Sequence, residues 1–182
     1  RVKGQVLAGP GEKFFTVLRS YFGKLPFIAE DLGVITEDVL SIKRQFALPG
    51  MKILQFDLDV REQGVSFEAA ADTVVYTGTH DNNTTLGWYH EELGSRRPLL
   101  QRAFGTKDSD AIVWKLIETA YATQAGAVIV PMQDFLVLDS DARMNLPGTV
   151  RKSNWQWRMD EGALTLQLAD KIKELTEKYN RG

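Results

Sequence analysis

The sequence predicts an α/β fold, in which short strands form a parallel sheet and helices cover it. Short apolar runs rich in β-branched or aromatic residues occur near residues 27, 52, 75 and 129. Segments with helical periodicity separate these runs, and strands that alternate with helices are typical of parallel βαβ units. About four strands are half the number in a closed (β/α)₈ barrel, which takes about 250 residues. The 182-residue chain therefore fits half of such a barrel.

Two helices and two strands are predicted in the first part of the chain. They are a helix from the turn at Pro10–Gly11 to Gly23, a strand at Phe27–Ala29, a helix from near Thr36 to the break at Leu48–Gly50, and a strand at Met51–Phe56. The second helix has Glu37 and Asp38 in its first turn, whereas Lys43 and Arg44 come late. Each charge therefore lies at the end of the helix dipole that favours it.

Two further strands and three helices are predicted in the second part of the chain. In order they are a strand at Thr73–Thr77, a short helix to Tyr89, a helix from Asp108, a strand at Val128–Met132 and a helix from about Gly162 to Tyr179. Residues 60–72 favour a loop or a short helix, and residues 91–107 are too polar for an assignment. Asn82 or Asn83 is predicted to cap the short helix, because a side-chain oxygen can accept from its first N–H groups.

Composition and charge exclude several classes of partner. The 22 basic and 24 acidic residues give a net charge of −2 and are interspersed along the chain. We therefore expect no positive electrostatic potential that would attract nucleic acid or anionic lipid. No apolar run is long enough to cross a bilayer. The chain has no cysteine and only two histidines, which excludes disulfides and thiolate or three-histidine zinc sites. We therefore expect no nucleic acid, membrane, metal or cofactor as a partner.

Carboxylates follow two of the predicted strands. Glu30 and Asp31 come directly after Phe27–Ala29, and Asp81 follows Thr73–Thr77. At the carboxyl ends of parallel strands these acids project onto one face, where barrels of this kind keep their active sites. Cleavage of a glycosidic bond needs a proton donor and a negative charge near the oxocarbenium-like transition state, and Glu30 with Asp81 meets both needs. The alternative is that Glu30 and Asp31 cap the next helix and Asp81 stabilises a turn.

The residues around Asp81 also allow two interpretations. His80 is either a hydrogen-bonded structural residue or part of a site, and its position beside Asp81 favours the site. Two aromatic pairs either stack on sugar rings or belong to the core, namely Trp88 with Tyr89 and Trp155 with Trp157. Serine hydrolase chemistry has no support, because the chain lacks a nucleophile-elbow motif.

Five segments of the chain carry a resemblance to a known family. They are Phe27–Thr36, Leu48–Phe56, Tyr76–Tyr89, Ala142–Gly148 and Asn154–Arg158. In order and spacing they resemble the C-terminal motifs of the 4-α-glucanotransferases, glycoside hydrolase family 77 of the α-amylase clan. The resemblance covers nearly the whole chain. It implies one unit over residues 1–182, the second half of a (β/α)₈ barrel with its fifth to eighth strands.

The resemblance also implies an activity and roles for individual residues. The family disproportionates α-1,4-glucans by a retaining mechanism, so maltooligosaccharides and glucose are the implied partners. Glu30 matches the general acid/base, and Asp81 matches the acid that holds sugar hydroxyls and stabilises the transition state. The implied substrate-binding residues are His80, Asp31, Asn82 and Asn145.

The catalytic nucleophile of the family has no counterpart in this chain. In the family that aspartate lies in a motif like Ile-Asp-His-Phe-Arg-Gly at the end of the fourth strand, and no segment here matches it. Asp57 and Asp59 follow the predicted sixth strand and lack this context. A retaining mechanism without its nucleophile loses the covalent step. We therefore expect a 4-α-glucanotransferase as the parent protein and no activity of this chain by itself.

Three more expectations complete the prediction. The alternative to a catalytic role is a non-catalytic module that binds α-glucan or assists assembly. Half a barrel exposes unpaired strand edges, so the isolated chain is expected to self-associate through them or to rearrange its terminal segments. The resemblance implies the bacterial cytoplasm as the location, or the plastid in a plant.

Overall fold

The computed structural model describes residues 9–182 of the chain. The chain divides into a smaller unit, Arg1–Met51, and a larger unit, Lys52–Gly182. The division falls inside the first strand, so the end of that strand belongs to the larger unit. The predicted single catalytic unit over residues 1–182 stays a prediction, and its first eight residues lie outside the described part of the chain.

The smaller unit contains two helices around a small apolar core. Helix α1 spans Gly11–Phe22 and ends at Gly23, whose φ of 68° suits glycine. Helix α2 spans Glu37–Gln45 after Thr36 and carries the predicted acidic first turn and basic last turn. Both helices confirm the sequence prediction. The buried core residues are Leu25, Phe46 and Leu48, with Phe15, Leu18, Ala29 and Ile42 packed against them.

The strand predicted at Phe27–Ala29 is wrong, because this segment has no regular structure. Phe27 and Ile28 are 38% and 49% exposed, so the apolar run is not the buried strand that its composition favours. One backbone hydrogen bond, from the Ala29 N–H to the carbonyl of Pro49 at 2.8 Å, joins it to the segment before the first strand. A single bond of this kind does not make a ladder.

The larger unit is built on a three-stranded sheet in the order β1, β4, β5. Strand β1 is Gly50–Ile53, β4 is Thr73–Tyr76 and β5 is Ala127–Ile129. Strands β4 and β5 are parallel, with Val75 opposite Val128. These strands confirm three of the four predicted strands and the parallel α/β character of the fold. The predicted strand Met51–Phe56 is wrong in its second half, because the strand ends at Ile53 and Leu54–Asp57 forms a short helix.

A β-hairpin occupies the segment for which a loop or short helix was expected. Strands β2, Asp59–Arg61, and β3, Gly64–Ser66, pair antiparallel with Val60 opposite Val65. Gly64 lies at the start of β3 with a φ of 142°, a value that L side chains rarely adopt. The prediction of a loop or short helix over residues 60–72 is therefore wrong for the part that forms the hairpin. Residues 67–72, which contain no helix or strand, are a loop as expected.

Six helices and three other helical turns complete the larger unit within the described residues. They are α3 Leu54–Asp57, α4 Thr85–Gly87 with a π-helical turn Trp88–Glu92, a 3₁₀ turn Gly94–Arg96, α5 Arg97–Phe104, α6 Ser109–Tyr121, α7 Met132–Phe135, a 3₁₀ turn Ser140–Ala142 and α8 Leu166–Lys178. The helix predicted from Asp108 is confirmed as α6, and the Asp108 side chain caps it. Thr84, not Asn82 or Asn83, caps α4, and Thr165 caps α8, so the last helix begins later than Gly162.

Helix α6 forms the centre of the main core. Six of its residues are buried, and they are Ile112, Val113, Leu116, Ile117, Ala120 and Tyr121. They belong to one cluster with Val75 of β4 and Leu100 of α5. None of the helices within residues 9–182 combines the length and apolar character that crossing a membrane requires.

We expect the isolated chain to self-associate through α1. Phe14, Tyr21 and Phe22 of this helix are 54%, 81% and 61% exposed, and exposed aromatic clusters favour association. Sedimentation-velocity runs at rising concentration should show a growing oligomer fraction. The double substitution Tyr21→Lys and Phe22→Lys should return the chain to a monomer, whereas Thr16→Lys on the same helix should not. A monomer at every concentration would contradict the expectation.

Candidate active site

Asp81 lies on the loop Gly78–Thr84, which connects β4 to α4. Its side chain is 48% exposed, and its Oδ1 atom accepts a hydrogen bond of 2.7 Å from Nδ2 of Asn145. The same oxygen is 3.5 Å from Nε2 of His80. Three residues predicted for the site therefore lie together around one carboxylate oxygen.

Asn82 holds the shape of this loop. Its Oδ1 atom accepts hydrogen bonds from the N–H of Thr79 at 2.9 Å and from the hydroxyl of Thr79 at 2.7 Å. The Asn82 N–H in turn donates to the carbonyl of Thr79. Asparagine is common in tight turns because its side chain can replace backbone partners in this way. The carbonyl end of Asn82 is thus engaged in the loop, and only its amide end can serve the predicted sugar contact.

Arg143 joins the two segments that form the site. Its Nη2 atom donates to the backbone carbonyl of Asp81 at 2.6 Å, and its Nε atom donates to the carbonyl of Asn145 at 2.7 Å. The third nitrogen, Nη1, is 4.0 Å from a carboxylate oxygen of Glu92. A planar guanidinium suits this task because its donors have fixed directions. Sequence reasoning missed Arg143, although it lies inside the motif Ala142–Gly148.

Trp155 adds an aromatic surface beside His80. The two ring centroids are 5.1 Å apart with an interplanar angle of 39°, and Trp155 is 59% exposed. Its backbone N–H donates to the carbonyl of Met144 at 2.7 Å. This hydrogen bond joins the segment that contains Trp155 to the segment Arg143–Asn145. An exposed indole next to polar groups is a surface on which a sugar ring can stack. Of the two interpretations for Trp155, this exposure favours the binding surface over the core.

A small cavity lies behind these residues. Its volume is about 150 Å³, and its lining includes Thr79, His80, Asn82, Asp134, Arg143 and Met144. A pocket for a complete ligand is usually about 300–1,000 Å³. The described cavity is therefore smaller than a typical pocket for a complete ligand.

Glu30 and Asp31 lie in the smaller unit. Glu30 is exposed on the irregular segment before α2. Asp31 is engaged, because its Oδ2 atom accepts from Nζ of Lys43 at 2.5 Å and its Oδ1 atom accepts from the N–H of Met51 at 2.8 Å. Gly50 permits this ion pair, since a Cβ atom there would clash with Oδ2 of Asp31 and Nζ of Lys43. The grouping of Glu30 with Asp81 in one site stays a prediction.

The ion pair of Asp31 predicts a pH dependence of stability. Burial alone would raise the pKa of Asp31, but the contacts with Lys43 and the Met51 N–H outweigh it and lower the pKa below the ordinary value of 3.8. A lowered folded pKa means that Asp31 stabilises the fold above pH 3.8 and that this contribution is lost as the pH falls through the folded value. The slope of unfolding free energy with pH, measured by urea titration below about pH 5, should become shallower in Asp31→Asn.

A matched substitution controls this measurement. Glu62→Gln removes an exposed carboxylate from the hairpin turn of the larger unit and should leave the slope almost unchanged. An equal effect of both substitutions would contradict a specific role of the Asp31–Lys43 pair.

The described residues contain no group of three histidine, aspartate or glutamate side chains placed to hold a metal ion. The chemistry of the site, as far as the structure describes it, is that of carboxylate, imidazole, amide and guanidinium groups around an exposed indole.

A family model described as 4-alpha-glucanotransferase matches residues 1–165 of the chain. The chain belongs to the 4-alpha-glucanotransferase family. Among members of this family, the chain is 39% identical to the 4-alpha-glucanotransferase of Streptococcus pneumoniae over 98% of its own length, which is 36% of that protein. It is 38% identical to the 4-alpha-glucanotransferase of Thermus thermophilus, over 99% of the chain and 38% of that protein. The chain thus spans a little over a third of the length of these relatives.

A solved amylomaltase structure has a similar fold. The amylomaltase from Streptococcus agalactiae, determined in complex with acarbose, aligns with a TM-score of 0.85 and 33% identity. The alignment covers 98% of this chain and 37% of that protein. The predicted family and the α/β fold class are therefore confirmed.

Proposed function

We propose that this chain supplies part of the active site of a 4-alpha-glucanotransferase, which moves an α-1,4-glucan segment from a donor to an acceptor glucan or glucose. The observation that carries the proposal is the exposed carboxylate of Asp81, held by Asn145 and flanked by His80 and Trp155. Carboxylate, amide and imidazole groups recognise sugar hydroxyls, and the indole offers a face for the ring. The membership in the 4-alpha-glucanotransferase family supports the same activity.

In the proposed reaction, Glu30 donates a proton to the glycosidic oxygen while a carboxylate outside this chain attacks the anomeric carbon. The bond to the leaving glucan breaks as the covalent glycosyl–enzyme bond forms. Glu30, now ionised, then takes a proton from the 4-hydroxyl of the acceptor, whose oxygen displaces the enzyme carboxylate. The anomeric configuration is retained because it inverts twice.

Asp81 acts on the charge of the transition state. The anomeric centre and ring oxygen become positive in the oxocarbenium-like state, and a nearby carboxylate stabilises that charge. Asn145 donates to Oδ1, which fixes the carboxylate. In this proposal Oδ2 accepts from sugar hydroxyls. His80, Asn82 and Asp31 are proposed to bind the substrate with Asn145.

The architecture proposed with this function is the second half of a (β/α)₈ barrel. The parallel pairing of β4 with β5 and the helices between them support it. The similarity to the Streptococcus agalactiae amylomaltase, which was solved in complex with acarbose, supports an α-glucan as the ligand. The bacterial cytoplasm, or the plastid in a plant, is the location that goes with this proposal.

A chimera tests the proposal. In it, this chain replaces the matching segment of the Streptococcus pneumoniae 4-alpha-glucanotransferase, to which it is 39% identical. With maltotriose as the only substrate, the chimera should release glucose and longer maltodextrins. The isolated chain should release none, because the proposed nucleophile lies outside it. Transfer by the isolated chain would contradict the need for an external nucleophile.

The second candidate function is a non-catalytic glucan-binding module, which the preformed arrangement of Asp81, Asn145 and Trp155 favours. Titration of the isolated chain with acarbose, followed by tryptophan fluorescence, measures binding without turnover. Binding by the chain combined with an inactive chimera would favour the module. Binding combined with an active chimera favours the enzyme.

A further inference from the structure

Asp134 is a buried carboxylate at the base of the candidate site. It lies in α7, directly after β5, and is only 1% exposed. Its Oδ2 atom accepts from the hydroxyls of Thr77 at 2.5 Å and Thr85 at 2.7 Å, and its Oδ1 atom accepts from the N–H of Thr85 at 2.7 Å. Three donors therefore converge on one side chain.

The two threonines mark the two ends of the loop that carries Asp81. Thr77 follows the last residue of β4, and Thr85 is the first residue of α4. Both threonines are fully buried. A single carboxylate from a third segment thus binds the chain where the loop Gly78–Thr84 begins and where it ends.

Burial of this carboxylate is costly for the fold. Burial raises the pKa of Asp134, and the hydrogen bonds from Thr77 and Thr85 oppose that change only in part. Replacement of a buried charged network by apolar side chains of the same volume is often neutral or stabilising. The gain that the network offers is geometric, because hydrogen bonds with fixed directions define the positions of the groups that they join.

We propose that Asp134 is a positioning residue that fixes the loop bearing His80 and Asp81. It touches neither residue directly and acts through Thr77 and Thr85, which set the separation and direction of the two loop ends. Asp134 also lines the cavity shared with His80, Asn82 and Arg143. The catalytic meaning of this loop rests on the proposed function, whereas the fixing of its geometry is a property of the chain alone.

Conservative substitutions distinguish positioning from simple packing. Thr77→Val keeps the shape of the side chain and removes the hydroxyl, and Thr77→Ser restores a hydroxyl. In Asp134→Asn the amide can donate to the two threonine hydroxyls, because a hydroxyl also accepts, and the remaining oxygen can still accept from the Thr85 N–H. In Asp134→Ala no such contact is left. A role in geometry therefore predicts damage in the valine and alanine variants and rescue in the serine and asparagine variants.

Amide hydrogen exchange of the isolated chain, resolved by NMR, tests the proposal. The informative amides are Thr79 and Asn82, which are hydrogen-bonded inside the loop. Their exchange should accelerate at least tenfold in Thr77→Val and in Asp134→Ala, while the buried amides of α6 change less than twofold. Thr77→Ser and Asp134→Asn should return the loop to within about threefold of the original rate.

Thr119→Val is the matched control. It removes a threonine hydroxyl that donates to the carbonyl of Lys115 in α6, away from the loop. It should leave the exchange of Thr79 and Asn82 unchanged. An unchanged exchange rate of the loop amides in Thr77→Val would overturn the proposal. Acceleration of exchange in the loop and in α6 by the same factor would also overturn it, because that result indicates general destabilisation. If Asp134→Ala does not fold, the comparison of Thr77→Val with Thr77→Ser still tests the proposal.

A kinetic measurement in the Streptococcus pneumoniae chimera extends the test. Thr77→Val should lower kcat about tenfold or more with KM changed less than threefold, and Thr77→Ser should restore kcat. A chimera without any transfer activity would count against the proposed function only, because the exchange rates decide the positioning role independently. Normal kcat in a Thr77→Val chimera would overturn the catalytic part of the inference.

Discussion

Asp81→Asn is expected to lower the transfer rate of the chimera about 10³-fold, equivalent to about 4 kcal/mol of transition-state stabilisation. Asparagine has the same shape and keeps one oxygen that can accept from Asn145, so the loop should stay in place. The substitution removes the negative charge, which is the property that the oxocarbenium-like transition state requires. The loss should therefore fall on kcat, and acarbose should still bind.

The measurement is the initial rate of glucose release from maltotriose, with kcat and KM separated. Asp72→Asn is the matched control, because Asp72 is an exposed aspartate on the larger unit that precedes β4. It should retain more than about half of the activity. A loss of less than tenfold in Asp81→Asn would show that the charge does not act on the transition state. A rise in KM alone would assign Asp81 to ground-state binding of the sugar.

Local patterns were sufficient for the elements that carry their own signals. Helix α1 ends where Gly23 adopts a positive φ, and α6 begins where Asp108 supplies a cap. Strands β4 and β5 are apolar runs between polar segments. Such a run predicts a strand, and the prediction holds where the run pairs with other strands in a sheet. These elements were predictable because the residues that define them are neighbours in the sequence.

The errors arose where pairing decides the structure. The run at Phe27–Ala29 has the composition of a buried strand, yet only the Ala29–Pro49 bond links its backbone to a neighbouring extended segment. The hairpin of β2 and β3 has strands of three residues each, too short for alternation to stand out. In both cases the outcome depends on the partner segment, which a local window does not contain.

The site was predictable only in its motif residues. His80, Asp81 and Asn145 lie in segments that resemble the family, and the structure brings these three together. Arg143 and Asp134 were missed because their contacts are tertiary. Arg143 reaches Asp81 across 62 positions, and Asp134 reaches Thr77 across 57. No spacing rule connects residues at such separations, so supporting residues emerge only from coordinates.

Arg181→Ala is expected to give a large loss of stability in the larger unit. The guanidinium of Arg181 donates to three backbone carbonyls, from Nε to Tyr121 at 2.8 Å, from Nη1 to Ala125 at 2.8 Å and from Nη2 to Thr123 at 2.5 Å. These carbonyls lie at the end of α6 and in the turn that follows, where helix carbonyls lack partners within the helix. Hydrogen bonds to charged groups contribute about 1.5–3 kcal/mol each and are not additive, so we expect a loss of about 3 kcal/mol.

Urea unfolding followed by tryptophan fluorescence measures this loss. Arg181→Lys keeps the charge near the C-terminus of α6 but reaches fewer carbonyls, so it should recover about 1 kcal/mol. Lys173→Ala removes a cation from α8 that forms only an exposed i,i+4 pair with Glu177, and it should cost less than about 0.5 kcal/mol. A loss below about 1 kcal/mol in Arg181→Ala would mean that water satisfies the three carbonyls equally well. A loss near 3 kcal/mol would show that the hydrogen bonds of Arg181 stabilise the turn between α6 and β5.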